Sequence, residues 1–237
     1  MKFKYLPLLL ALVAAGFAQA LSAAAPNFEQ ELHQIQDEWA ETFYHMPEDQ
    51  QVPRFKNQLV RVHALQKALP QRAEPLIVEA VILCTYAAAD WGLSSLGRLN
   101  DARDLLIRSI DKDPMAMDAT AFITLGNLYY RLPGWPISYG DNRQALVYLE
   151  AALRMYPNSL DSNYFLGDYW LHEGAYKKAL NYLEKADQAP VRPNQRLSDE
   201  KLKEELKAAL AAARKGEATH SDFFSSLLPS FDDPSAK

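Results

Sequence analysis

Histidine, cysteine and serine side chains are the groups of this sequence that could ligate a metal ion or act as nucleophiles. The single cysteine, Cys84, lies in an apolar stretch, which is typical of a small buried hydrophobe. Ser94-Ser95 lacks the sequence context of a nucleophile elbow. Five histidines are scattered along the chain without the short spacing of a metal site: His33, His45, His63, His172 and His220. The sequence therefore predicts a non-enzymatic protein without catalytic residues, metal ligands or a cofactor.

The composition narrows the class of protein further. Hydrophobic residues make up 49% of the 237 residues and charged residues 23%, which is ordinary for a globular chain. A formal net charge of −5 argues against a nucleic-acid-binding protein, which normally carries a basic patch. One cysteine excludes an internal disulfide.

The first residues have the pattern of a signal peptide. A positive start at Lys2 and Lys4 precedes an apolar run over 5–17, and the small-x-small triplet 18–20 follows it. A second small triplet at 23–25 leaves cleavage open between residues 20 and 25. The apolar run is shorter than the roughly 20 residues of a membrane span, so we expect no span in the mature chain, although a retained N-terminal anchor is the alternative. We expect secretion, most simply to a bacterial periplasm.

Recurring residue spacings in the middle of the chain indicate an internal repeat, which would position any functional side chain. When Gly97, Gly140 and Gly174 are aligned, an alanine follows each by five residues and a leucine by nine. The dipeptides Leu125-Gly126 and Leu166-Gly167 also match each other. This pattern resembles the tetratricopeptide repeat (TPR) family over about residues 74 to 190.

Helix packing gives a physical reason for the repeated small residues. Glycine at 126 and 167 lets two helices cross closely, and glycine at 97, 140 and 174 suits a turn between paired helices, where a positive φ costs it little. We therefore predict an all-α fold of antiparallel helix pairs. The resemblance implies that the pairs stack as a TPR-type right-handed superhelix with a C-terminal capping helix. The predicted segments are a signal peptide (1–20, cut up to 25), a degenerate N-terminal helix pair (26–70), TPR-like units at 73–114, 118–157 (with an inserted loop) and 160–193, a capping helix (197–216) and a tail (217–237).

Two expectations concern the C-terminal part. Ser198 has the residue type and position of an N-cap for the capping helix, and Gly216 suits its C-terminal stop. The tail contains Phe223-Phe224, and the sequence leaves open whether this pair docks in the protein's own groove.

The TPR resemblance implies a concave binding groove lined by the first helix of each pair. Carried over by position, the groove candidates are Asn127, Tyr130, Arg131, Asp161, Tyr164, Asp168 and His172. Such side chains could hydrogen-bond an extended peptide or a small polar ligand. The alternative is that Tyr130 and Tyr164 only complete the packing between repeats.

A proline-rich insertion in the second TPR-like unit is the other candidate site. Residues 133–141 hold two prolines and could present Trp135, Tyr139 and Asp141 on a stiff loop. The alternative is a plug that fills a gap beside Trp91.

The insertion and the segment 161–168 together resemble a group of secreted bacterial TPR proteins. That group is similar to the periplasmic T component of tripartite (TRAP) transporters. The expected function is a scaffold or adaptor that binds a protein or peptide in the cell envelope. The alternative is a transporter accessory that holds a small ligand or docks a solute-binding protein, with self-association left open.

Overall fold

A computed structural model describes residues 28–217, except Trp91 and Leu93. Within these residues the chain forms nine α-helices and one short 3-10 turn, without a strand. The elements are α1 (28–45), α2 (Glu48–Ala68), α3 (Glu74–Ala89), α4 (Ser95–Lys112), α5 (Ala116–Arg131), α6 (Asn142–Met155), α7 (Leu160–His172), α8 (Tyr176–Gln188), the 3-10 turn (Pro193–Gln195) and α9 (Arg196–Lys215). The prediction of an all-α chain is confirmed for this part. The predicted signal peptide, Trp91 and Phe223-Phe224 lie outside the described residues.

Consecutive helices pack as hairpins. Contacts between helices are most extensive within the pairs α3–α4, α5–α6 and α7–α8. Each pair also contacts the next pair along the chain, and α9 packs on α7 and α8 after the last of them. The buried apolar residues form three clusters along the stack, and the partly buried Tyr129 and Met117 each pack against two of them.

The two glycines of the Leu-Gly dipeptides allow the paired helices to approach, as predicted. A Cβ at Gly126 would lie 2.6 Å from Cγ of Leu149 on α6. A Cβ at Gly167 would lie 2.8 Å from Cγ of Leu183 on α8. Both distances are shorter than real Cβ contacts, so any larger residue would push the helices of the pair apart.

The three aligned turn glycines differ in their roles. Gly174 has a φ of +71° between α7 and α8, which confirms its prediction as a turn residue. The same prediction is wrong for Gly97, because α4 already begins at Ser95 and Gly97 lies in its first turn, facing open space. Gly140 has no positive φ; it packs closely against the backbone of Leu132.

The capping helix starts earlier than its sequence suggests. Gln195 precedes the first residue of α9, so the prediction of Ser198 as the N-cap is wrong. Ser198 instead lies in the first turn of α9, close to Tyr44 of α1. At the other end Gly216 adopts φ +70° and ends the helix, as predicted.

Candidate functional site

Helix α1 lies close to helices from distant parts of the chain. Its Trp39 donates a hydrogen bond from Nε1 to Oγ1 of Thr85 on α3, at 3.1 Å. Further along α1, Tyr44 lies close to Ser198 in the first turn of α9, and both residues line the same cavity. On its other side, α1 is held to α2 by the ion pair between Glu31 and Arg61, at 2.7 Å. Helix α1 is thus held to α2 and α3 and lies beside the start of α9.

A cavity of about 680 Å³ lies under α1. Its floor comes from equivalent positions of the hairpins. The floor includes Val81, Thr124 and Phe165. Thr124 lies two residues before Gly126, and Phe165 lies two residues before Gly167. Its volume falls within the range of about 300–1,000 Å³ that small-molecule sites have.

One side of α1 forms the opposite wall. The residues on this side follow helical spacing and are His33, Gln36, Asp37, Ala40, Glu41 and Tyr44. The other side of α1 carries Leu32 and Ile35, which are buried in the core with α2 and α3. Helix α1 thus contributes an apolar side to the fold and a polar side to the cavity.

The interior of the cavity is largely apolar but contains one buried amide without a complete set of partners. Asn127 on α5 is 1% exposed, and its Nδ2 donates to the backbone oxygen of Ile123 at 2.8 Å. Its Oδ1 has no hydrogen-bond partner among the described residues. Since a buried acceptor without a partner costs about 1–3 kcal/mol, a ligand with a donor group would regain that free energy.

The end of the cavity near α9 is charged. Arg192 contacts the carboxylates of Asp118, Asp161 and Asp199 at 3.0, 2.6 and 2.6 Å. Burial raises the pKa of Asp161, and the neighbouring Arg192 offsets only part of that effect. One guanidinium faces three carboxylates, so this end keeps a surplus of negative charge.

Asp118 reaches Arg192 from an unusual backbone segment. Met117, Asp118 and Ala119 have φ values of 51°, 54° and 61° at the start of α5. Left-handed residues other than glycine cost about 1–2 kcal/mol each. The ion pair with Arg192 supports this segment, which also brings Met117 to the cavity wall.

Of the predicted groove residues, Asn127 and Asp161 line the cavity. Tyr130, Arg131 and Asp168 do not line it; they form a network between α5 and α7. Arg131 donates from Nη2 to Asp168 at 2.6 Å and from Nε to the Tyr130 oxygen at 2.9 Å, and the Tyr130 hydroxyl donates to Asp168. Burial raises the pKa of Tyr130 well above its usual value. These three residues therefore join two hairpins.

The two remaining groove candidates also take part in packing. The His172 ring lies 5.7 Å from the Tyr130 ring. Tyr164 is fully buried, and its ring contacts that of Phe165 at 5.0 Å between centroids.

The inserted loop (133–141, the Trp135 loop) has an inner and an outer part. Tyr139 points inward: its hydroxyl donates to the backbone oxygen of Leu99 at 3.0 Å, and its ring lies under the guanidinium of Arg103. Asp141 caps α6 by accepting from the backbone nitrogen of Arg143 at 2.8 Å. Trp135, at the tip, is 90% exposed. The loop thus holds itself with Tyr139 and Asp141 and presents Trp135 to solvent.

Sequence reasoning missed α1 and Arg192 as parts of the site. The polar side of α1 reads as an ordinary solvent-facing side, and nothing in the sequence places it opposite α5. Arg192 is a single basic residue in a linker, and its three carboxylate partners are spread over 82 residues of the chain, from Asp118 to Asp199.

Two further properties concern the described residues only. No helix within 28–217 has the length and apolar character needed to cross a membrane. In the same part of the chain, no cluster of three or more histidine, cysteine, aspartate or glutamate side chains is arranged to hold a metal ion.

Comparison with models of known protein families and with curated proteins yields no match to this chain.

Proposed function

We propose that this protein is a non-catalytic helical-repeat protein that holds a small, largely apolar ligand in the cavity between α1, α5 and α9. The observation that carries this proposal is the cavity itself: about 680 Å³, with apolar side chains from successive hairpins on its floor. A peptide-binding adaptor would be expected to have an open and polar groove, whereas the surface that lines this cavity is mainly apolar and α1 forms one of its walls. The ligand-holding role is therefore favoured.

The wider proposal follows the TPR resemblance. The stacked hairpins and the terminal helix α9 are compatible with a TPR-type superhelix whose concave side forms the cavity floor. A secreted, periplasmic protein related to transporter T components would use such a cavity to hold or hand over a solute. The absence of catalytic motifs in the sequence supports a binding role rather than an enzymatic one.

The proposal is tested by filling the cavity. Val81 lines it, so Val81→Trp should occupy much of the space that a ligand needs. Val60 is 69% exposed on α2, which makes Val60→Trp the matched control. Binding of the neutral fluorescent dye N-phenyl-1-naphthylamine to the purified protein is the measurement, with circular dichroism to check helicity.

We expect the dye to bind wild type and Val60→Trp equally, and to bind Val81→Trp at least about tenfold more weakly, because a filled site loses apolar burial. Equal binding to all three proteins, or no binding to any, would contradict the proposal.

The Trp135 loop supports a second candidate function, docking of a protein partner. An exposed tryptophan next to Ile137, which is 61% exposed, is typical of an interaction hot spot. Tyr139 holds the loop in place, so a variant at that position would disturb the fold as well as the surface. The clean test is a pull-down from envelope extract with Trp135→Ala/Ile137→Ala beside wild type. A partner retained equally by both proteins would exclude the loop as its docking site.

A further inference from the structure

The lining of the cavity carries more negative than positive charge. Its acidic residues are Asp37, Glu41, Asp161 and Glu200, and its only guanidinium groups are those of Arg192 and Arg196. Arg192 is already shared among three carboxylates, and Arg196 pairs with Glu200 at 2.7 Å. An anionic ligand would meet no unpaired cation among the described lining residues, and the carboxylates would repel it.

A second and independent observation concerns hydrogen bonding. Asn127 lines the cavity in a nearly fully buried position, and its acceptor Oδ1 has no partner within the described part of the chain, while its Nδ2 donates to the Ile123 carbonyl. The buried end of a ligand would therefore satisfy Asn127 only if it brought a donor. A carboxylate brings acceptors alone and would leave Oδ1 unsatisfied.

We propose that the cavity selects an apolar molecule that carries a protonated amine, with the ammonium group donating to Oδ1 of Asn127 and its charge balanced by the lining carboxylates. This inference rests on the proposed function and names the ligand class for the same site. The apolar body contacts Val81, Ile123 and Phe165. A neutral alcohol offers the same donor without the charge, and a fatty acid offers neither.

The test uses three probes with the same ten-carbon chain: decylamine, decan-1-ol and decanoate, with dissociation constants measured by titration calorimetry at neutral pH. We expect decylamine to bind tightest, decanol second, and decanoate weakest by at least about tenfold relative to the amine. Equal affinities, or a preference for decanoate, would overturn the inference while leaving the proposed function intact. Failure of all three probes to bind would overturn both.

Two variants locate the head group. Asn127→Leu removes the acceptor and should weaken decylamine by about tenfold or more, as expected for a hydrogen bond to a charged group. Asn163→Leu is the matched control, because Asn163 is also buried, also donates to the carbonyl four residues earlier, and also has an Oδ1 without a partner, yet does not line the cavity. Its affinity for decylamine should equal that of wild type. An equal loss in both variants, or none in Asn127→Leu, would contradict the assignment.

A surface variant covers the case in which the buried substitutions do not fold. Asp37 is exposed on the cavity side of α1, so Asp37→Asn should leave the fold unchanged. We expect decylamine to bind this variant about two- to fivefold more weakly, with decanol unaffected, because only the amine gains from the carboxylate. An unchanged ratio of the two affinities would contradict a role for the lining charge.

Discussion

Asn127 and Asp168 occupy equivalent positions in successive hairpins, each directly after the glycine at the helix crossing, but their environments differ. Asp168 accepts hydrogen bonds from Tyr130 and Arg131, whereas Asn127 lines the cavity and its Oδ1 has no partner in the part of the chain that the structure describes. The same repeat position thus serves packing between α5 and α7 in one hairpin and the candidate binding site in the other.

The Asp168 network should be important for stability. Asp168→Ala would remove the carboxylate that pairs with the largely buried guanidinium of Arg131 and accepts from the Tyr130 hydroxyl. We expect a loss of about 3–5 kcal/mol in the free energy of unfolding, measured by urea denaturation. The control is Asp104→Ala, since Asp104 is exposed and, among the described residues, pairs only with its neighbour Arg103. That change should stay within about 0.5 kcal/mol; similar losses in both variants would contradict the network's role.

Ionisation of Asp161 should make stability depend on pH. Its pKa in the folded state is raised above the ordinary value of 3.8 by burial. The cost of ionising it is therefore absent below pH 3.8, where the carboxyl is protonated in both states, and is present in full once the pH exceeds the raised pKa.

Asp161→Asn removes the free-energy cost of ionising this buried carboxyl, while Arg192 keeps Asp118 and Asp199 as partners. We expect the variant to be more stable than wild type at neutral pH, with the difference closing as the pH falls toward 4. Urea unfolding midpoints across this range are the measurement. A variant less stable than wild type at neutral pH would show that the ion pair outweighs the cost of burial.

The two kinds of glycine should respond oppositely to alanine. At Gly126 a Cβ would overlap Leu149, so Gly126→Ala should destabilise the protein by about 1–3 kcal/mol. At Gly97 nothing lies within 4 Å of the added Cβ, and the residue is exposed inside α4. Gly97→Ala should therefore stabilise it by about 0.5–1 kcal/mol. Thermal unfolding of both variants checks the pair, and a loss of stability at Gly97 would mean that the glycine is needed for a turn after all.

Local spacing was enough to predict the helical hairpins but not the site. The recurrence of Gly126 and Gly167 with Leu149 and Leu183 is a short-range pattern, and the structure places these residues in contact as expected. The prediction of Gly97 as a turn residue is wrong because the repeat alignment matches Gly97 to the other glycines but does not show at which residue α4 begins.

The candidate site depends on contacts between distant parts of the chain. Tyr44 and Ser198 are more than 150 residues apart in the chain, and both line the cavity. The repeat register placed Asn127 and Asp161 in the groove, and both line the cavity. It placed Tyr130 and Arg131 on the same surface, because spacing alone does not show that these two residues bind Asp168 between the hairpins.

The central claim is that an apolar amine binds inside the cavity, and intermolecular NOEs from decylamine to ¹³C-labelled valine and isoleucine methyl groups test it most directly. We predict NOEs to Val81 and Ile123, which line the cavity, and none to Val60 or Val147, which are exposed on α2 and α6. NOEs confined to the exposed valines, or the absence of any NOE at saturating decylamine, would contradict the claim.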